Sequence, residues 1–221
     1  MMGESEREAI WLRGVSDLQI ESFRIGYVGL SPPEGPSYPS NFAYWWKHHE
    51  EKVTDSFVLP LTNWVGEVRG LQFRPLDRNR KYYMDYFLDR TELTLFGLSQ
   101  AAQSVWDTGE VVVVEGGFDL LPVQRAVPNV ISTLTAKVSR QLVRSLKRLT
   151  KTVHMFYDND EPGRDGTQKF IKYHAKDLEI RAWDYPTGVV MYGGKPVKDP
   201  GDLWETWGDD RLCRYIKTQM R

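Results

Sequence analysis

A chain of 221 residues, 41% of them hydrophobic, can bury a sizeable core as one large domain or two small ones. Its 29 basic and 30 acidic side chains leave a net charge of -1, so any attraction to a polyanion must come from local patches. The single cysteine, Cys213, excludes an internal disulfide and a cysteine-based zinc site, and no run approaches the roughly 20 apolar residues of a membrane span. The amino terminus M-M-G-E-S-E-R-E is acidic, not signal-like, so a soluble cytoplasmic protein is expected. His48, His49, His154 and His174 lack metal-ligand spacing and read as surface or satisfied core residues.

In chain order, residues 6–24 suit one or two short helices broken at Gly14. Residues 31–40, S-P-P-E-G-P-S-Y-P-S, form a loop or linker that no regular element tolerates. The aromatic patch Phe42, Tyr44, Trp45 and Trp46 fits either base stacking or a short helix capping a core. From Ser56 to Leu76, period-2 runs around a turn at Asn63 predict an antiparallel meander. Arg69, Arg74, Arg78, Arg80 and Lys81, followed by Tyr82, Tyr83 and Tyr86, interleave charge with aromatic rings. That pattern suits a groove that tracks phosphates and stacks bases, and equally a solvated hairpin rim diluted by Glu67, Asp77, Asp85 and Asp89.

After a helix over 91–107, the pattern alternates: strand 111–115, helix Asp119 to Arg125, strand 129–132, helix 138–149, strand 152–157, helix 164–174, strand 178–183. Alternation of this kind predicts βαβ units, hence an α/β fold with a mainly parallel sheet flanked by helices, preceded by a small α+β basic subdomain. The division falls between 1–107 and 108–221. Pro122 is placed in the first turn of its helix, where a missing N–H is tolerated. The basic stripe Lys137, Arg140, Arg144, Lys147 and Lys151 either meets a phosphate backbone or is the solvated face of a surface helix. The tail carries Leu203, Trp204, Trp207, Leu212 and Ile216, which would bury against the sheet.

The run V-V-V-V-E-G-G-F-D, residues 111–119, reads as a strand buried on both faces that ends on Glu115. Asp119 follows at the next helix, Asp158 and Asp160 end a second apolar run, and Asp199 and Asp202 form a third cluster, with Asp202 open to a plain N-cap reading. Ligands gather at the carboxyl ends of strands in open α/β sheets. Acids without histidine or cysteine partners match the oxygen preference of a hard divalent cation such as Mg2+, which in turn points to phosphate. N-caps and turn residues are the competing reading for each cluster alone, and the coincidence of the clusters in one α/β unit favours a metal site. Gly163 and Gly166 are expected to give the backbone freedom to turn Asp158 and Asp160 together.

These motifs, E-G-G-F-D at 115–119, Y-D-N-D-E-P-G-R-D-G at 157–166 and K-D-P-G-D-L at 198–203, resemble the TOPRIM domain of primases and topoisomerases, in its primase version. Upstream, L-R-G-V-S-D-L-Q-I-E-S-F-R-I-G-Y, F-V-L-P-L-T-N-W-V-G-E-V-R-G-L-Q-F-R-P-L, R-K-Y-Y and T-L-F-G-L-S-Q-A are similar to segments of the RNA polymerase core of bacterial-type, DnaG-like primases. The resemblance implies a TOPRIM-type sheet and Mg2+-dependent (or Mn2+-dependent) synthesis of short RNA primers from ribonucleoside triphosphates on single-stranded DNA. It makes Glu115, Asp158 and Asp160 catalytic or metal acids, with Asp119, Asp199 and Asp202 completing the metal site, and Arg69, Arg74, Arg80, Lys81 and Tyr82 contacts to template or nucleotide.

The sequence departs from the family in lacking the zinc-module cysteines and the carboxy-terminal helicase-interaction region. The family's K-Y-x-N reads Lys81-Tyr82-Tyr83-Met84, and a downstream lysine is lost near Arg90 and Thr91. A phage-encoded core is therefore expected, working with a separate zinc-binding subunit and a replicative helicase. A TOPRIM nuclease and a non-catalytic nucleic-acid-binding replisome module are the alternatives.

Overall fold

The computed structural model describes residues 2–31, 42–77, 79–86 and 93–221. The expected loop at 31–40 lies outside the described residues except for Ser31; Arg78, Arg90 and Thr91 lie outside them as well. Two helices open the chain, α1 (Glu4–Trp11) and α2 (Asp17–Ser22). Gly14 separates them at φ 76°, as the break in periodicity predicts. Ser16 caps α2 through a complete capping box with Gln19.

A four-stranded antiparallel sheet follows in the order β1-β2-β3-β4. Its strands are β1 (Gly26–Val28), β2 (Ser56–Thr62), β3 (Val68–Pro75) and β4 (Tyr83–Tyr86), with α3 (Phe42–Val53) preceding β2. The two long strands are the expected meander; β1 and β4 are short flanking strands that periodicity does not reveal. In α3 the packing reading prevails for the tryptophans: Trp46 is buried, and Trp45 stacks on His49 while its Nε1–H donates to Asp85 at 2.8 Å.

The second half alternates as predicted. Helix α4 (Leu98–Thr108) leads into β5 (Glu110–Val114), α5 (Gly117–Gln124), β6 (Val130–Ser132), α6 (Arg140–Leu149), β7 (Thr152–Phe156), α7 (Glu161–His174) and β8 (Glu179–Ala182). The four strands are all parallel, in the order β6-β5-β7-β8. Val111 to Val114 are at most 1% exposed, which is why an uninterrupted β-branched run occupies this central strand. Helix α6 buries Leu142, Val143 and Leu146 and turns Arg140, Arg144 and Lys147 outward, with Lys147 paired to Asp177, so its basic stripe is exposed, as both readings of it require. His154, in β7, is a buried core histidine whose Nδ1 accepts from Trp183 Nε1–H at 3.1 Å, while its Nε2 lies 3.4 Å from Glu110 Oε2 without a hydrogen bond. Among the described residues no helix is long and apolar enough to cross a membrane.

Helix α8 (Pro200–Gln219) closes the chain, kinked at Gly208, whose φ of 70° and ψ of 179° are not helical. Leu203, Leu212 and Ile216 are buried while Trp204 and Trp207 pack partly buried beside them, so the tail joins the core as expected. Pro122 requires a correction. Helix α5 begins at Gly117, earlier than expected, so Pro122 falls beyond the first turn and leaves the Phe118 carbonyl without its helical donor.

One hydrophobic core runs through both sheets, with Phe57, Leu59 and Leu61 of β2 packed with Val112, Val114, Leu120 and Phe156. Residues 95–96 stitch the sheets together: Leu95 bridges to Thr62 at the end of β2, and Phe96 to Ser132 at the end of β6. Gly117 sits at this junction. A Cβ there would lie 2.6 Å from Leu59 Cδ1 and 3.2 Å from Gln72 Oε1. Gly117→Ala is therefore expected to lower the unfolding free energy by about 1–3 kcal/mol in urea denaturation, the usual cost of overpacking. Gly29→Ala, with nothing within 4 Å, serves as the near-neutral control.

Candidate metal and nucleotide site

The parallel sheet delivers its acids at one edge. Glu115 follows the last residue of β5, and Asp158 and Asp160 follow β7. Asp119 lies in the first turn of α5, and Asp199 and Asp202 stand at the start of α8. The N-cap reading holds for Asp160 and Asp199, and in Asp160 capping leaves the second oxygen to face the acidic edge. Asp160 caps α7 through Oδ1, which accepts from the Gly163 N–H at 2.9 Å, while its Oδ2 faces Lys198 Nζ at 3.2 Å. Asp199 is the N-cap of α8, accepting from the Asp202 N–H at 2.7 Å. Asp202 is not the cap; it accepts from the Lys198 N–H at 2.8 Å.

Gly163 and Gly166 act differently from the expectation. Both lie inside α7 without positive φ, so they serve close approach instead of turning. A Cβ on Gly163 would overlap the Asp158 carbonyl, and one on Gly166 the Ala136 carbonyl. The loop after β7 is held from the other side by the Asn159 N–H, which donates to the Lys198 carbonyl at 2.6 Å.

Burial and crowding of like charge set the electrostatics. Burial, reinforced by Asp158 and Asp160, pushes Glu115 up to about 7. Burial and then Asp199 and Asp158 raise Asp119 well above the carboxylate range, against the pull of Arg74 and the Gly201 N–H. Asp199 rises to about 6, chiefly from burial. Burial also raises Asp158, although Lys198 opposes it. Asp160 alone falls: burial works against ionisation, but the Gly163 N–H, Lys198 and Arg164 together outweigh it. Glu115 Oε2 and Asp158 Oδ1 are buried with no hydrogen-bond donor.

These orphaned acceptors, in an all-oxygen set, fit a hard cation in kind. The side chains are not drawn tightly together: among the described residues no three His, Cys, Asp or Glu are already arranged as a metal cage. The cation that does reach Asp158 and Asp160 is the Lys198 ammonium, at 3.3 Å and 3.2 Å.

A cleft of about 330 Å3 joins part of the acidic edge to the antiparallel half; Glu115, Asp158 and Asp160 are not among its lining residues. One wall carries Asp119, Asp199 and Asp202; the other carries Arg74, Arg80, Lys81 and Tyr82. Arg74 spans the two, its guanidinium carbon 5.5 Å from the Tyr82 ring and 6.0 Å from that of Phe118, close enough to bias Asp119. Arg80 is partly committed to structure, donating to the carbonyls of Thr54 and Glu51 at 3.0 Å and 2.7 Å. Arg69, near the start of β3, does not line this cleft; it pairs at 2.5 Å with Glu67, which precedes the strand. Its basic charge suggested a shared wall, but Arg69 and Arg74 lie far enough apart along β3 that only Arg74 reaches the acids.

Two residues escape sequence reasoning. Arg13 lines the cleft with its guanidinium 4.9 Å from the Phe118 ring. Its isolation in the chain, far from the other basic residues, gave no signal beyond the L-R-G segment. Tyr185 places a buried, unpartnered hydroxyl in the field of Asp119, Asp158 and Asp199, and only the pairing of β8 against β7 puts it there.

Comparison with known proteins now bears on this geometry. Residues 112–191 match the Toprim-like family model. The DNA primase of Thermotoga maritima is 28% identical over 173 residues, covering 76% of this chain and 29% of that protein. The DNA primase of Aquifex aeolicus is 27% identical over 167 residues, covering 73% and 32%. The chain thus spans about a third of the length of these curated relatives. Among solved structures, the zinc-binding and RNA polymerase domains of the A. aeolicus primase superpose with a TM-score of 0.73 at 21% identity, over 98% of this chain and 56% of that one. A DnaG catalytic domain bound to single-stranded DNA gives 0.70 at 20% identity, over 98% and 72%. The chain has the fold of DnaG-type primase cores, and its Toprim-like match lies in the parallel half. In this primase-core fold the acids lie on the Toprim-like half, except Asp199 and Asp202, which α8 supplies from beyond the matched residues.

Glu115, Asp119 and Asp199 all bind protons more tightly in the folded chain than in the unfolded one, so without a cation each lowers stability as pH rises through its raised range. For Glu115 that window runs from the ordinary 4.5 to about 7. In chelator, thermal melts followed by circular dichroism should show Glu115→Gln melting a few degrees above the wild type near pH 8. The gap should close below about pH 4.5, where both the folded and unfolded carboxyls are protonated.

Proposed function

We propose that this chain is a DNA primase catalytic core, joining ribonucleoside triphosphates into short RNA primers on a single-stranded DNA template during replication in the cytoplasm. The observation that carries this reading is the cleft itself: inside a primase-core fold, an acidic sheet edge faces a basic, aromatic wall across about 330 Å3. The names of the relatives, DNA primase, agree with it. Residues 1–107 would supply contacts to template and nucleotide, and 108–221 the catalytic acids.

Glu115, Asp119, Asp158, Asp160, Asp199 and Asp202 would hold Mg2+, or Mn2+ in its place. Such an ion, when bound, offsets the charge that develops on the transferring phosphate and on the leaving pyrophosphate. Arg13, Arg74 and Lys81 face the same cleft and bind the phosphates of nucleotide or template, while the Tyr82 ring offers a stacking face to a base. Burial holds Glu115 at about 7, which suits it to take a proton near neutral pH from an attacking hydroxyl when it is not engaged by metal. A replicative helicase and a separate zinc-binding subunit are the proposed partners for loading and initiation.

Incubation with single-stranded DNA, labelled ribonucleotides and Mg2+, with and without a zinc-module subunit, should yield oligoribonucleotides. Asp158→Asn should abolish them. Arg74→Ala should lower kcat/KM by about 10- to 100-fold, the range for losing a charge-assisted phosphate contact of about 1.5–3 kcal/mol. Degradation of the DNA without nucleotides, abolished by the same Asp158 substitution, would identify a Toprim-type nuclease instead. DNA binding with no Mg2+-dependent chemistry would identify a non-catalytic module.

A further inference from the structure

Lys198 is a residue of the acidic edge whose charge opposes its surroundings. Its main chain is fastened at both polar groups, the N–H to Asp202 Oδ2 at 2.8 Å and the carbonyl to the Asn159 N–H at 2.6 Å. Its side chain is half exposed, at 50%, and its ammonium lies between the Oδ2 atoms of Asp158 and Asp160. The backbone therefore cannot leave the site, while the side chain has open solvent into which to swing. Asp158, by contrast, is only 12% exposed, and its other oxygen has no donor. A carboxylate so placed needs a positive partner whenever it is ionised.

We propose that Lys198 is a tethered counter-cation that holds the place of the divalent ion at Asp158 and Asp160, and that its ammonium withdraws when metal enters. The proposal rests on the reading of these acids as metal ligands. In that role Lys198 weakens metal binding, because an ammonium close to a divalent ion repels it and must be displaced. It also protects the metal-free fold, because it neutralises charge that would otherwise sit buried and unpaired. A lysine that merely orients the two carboxylates for the metal would have the opposite effect on affinity.

The sign of the change is the test. Mn2+ binding is measured by isothermal titration calorimetry on the whole chain, for the wild type, Lys198→Met and Lys198→Arg, alongside melting in EDTA. Lys198→Met should bind Mn2+ more tightly, on the order of tenfold for removing one positive charge from the neighbourhood of a divalent ion in a solvated setting. It should also melt below the wild type in EDTA and regain the difference in saturating Mn2+. Lys198→Arg, which keeps the charge, should stay close to the wild type in both. Lys198→Gln carries the same prediction as the methionine variant should that protein fail to fold. Equal or weaker binding by the neutral variants, with the wild type binding Mn2+, would overturn the role of Lys198 and leave the metal site standing. Absence of Mn2+ binding by the wild type and the neutral variants alike would overturn both.

Discussion

Carboxylates gathered at the end of a parallel sheet repel one another, and this protein gathers more of them than it neutralises. Glu115 and Asp158 each keep a buried oxygen without a donor, and burial raises the pKa of Glu115, Asp119, Asp158 and Asp199. Such an arrangement is unfavourable on its own. It persists because surrounding structure over-determines it: Asp160 and Asp199 are locked as N-caps, Asp202 holds the Lys198 amide, and the Lys198 ammonium supplies part of the missing charge. The uncompensated remainder is the charge that the proposed cation would neutralise.

The rest of the fold keeps that edge rigid and brings the opposite wall to it. Strand β5 is anchored by four valines buried on both faces, each worth roughly 1.5–3 kcal/mol of burial. The shared core and the bridges at Leu95 and Phe96 fix the antiparallel sheet against the parallel one. Gly117 lets α5 approach β2 and β3 closely, which sets Phe118 beneath both Arg13 and Arg74. Acid and base thus meet across one cleft although they belong to different sheets. The two charges nearly balance over the chain, and it is their separation into facing walls that gives a nearly neutral protein a local field.

Much of this was legible in the amino-acid pattern, for physical reasons. A buried parallel strand must be uniformly apolar, so Val111 to Val114 announced β5, and strand-helix alternation announced the parallel sheet. Acids directly after such strands have little to do in a core, so Glu115, Asp158 and Asp160 stood out. The strands β1 and β4 did not, because three or four residues at the flanks of a sheet carry no readable period. Helix boundaries shifted where caps decided them: Asp160 starts α7 at Glu161, three residues before the expected 164, and Gly116 starts α5 ahead of Asp119. Arg69 and Arg74 looked alike as strand arginines, and only the register and the neighbouring Glu67 separate them. Arg13, Tyr185 and the contact of Lys198 with Asp158 and Asp160 depend on long-range packing, which spacing along a chain does not encode.

The claim that this edge is an under-neutralised cation site is tested most directly by thermal unfolding at about pH 8 in EDTA and in millimolar Mg2+. The wild type should gain stability with Mg2+ as linkage to a ligand of the folded state requires, and an Asp119→Asn, Asp158→Asn double variant should melt higher than the wild type in EDTA yet gain nothing from Mg2+. A wild type indifferent to Mg2+, together with a double variant that is less stable in EDTA, would contradict it.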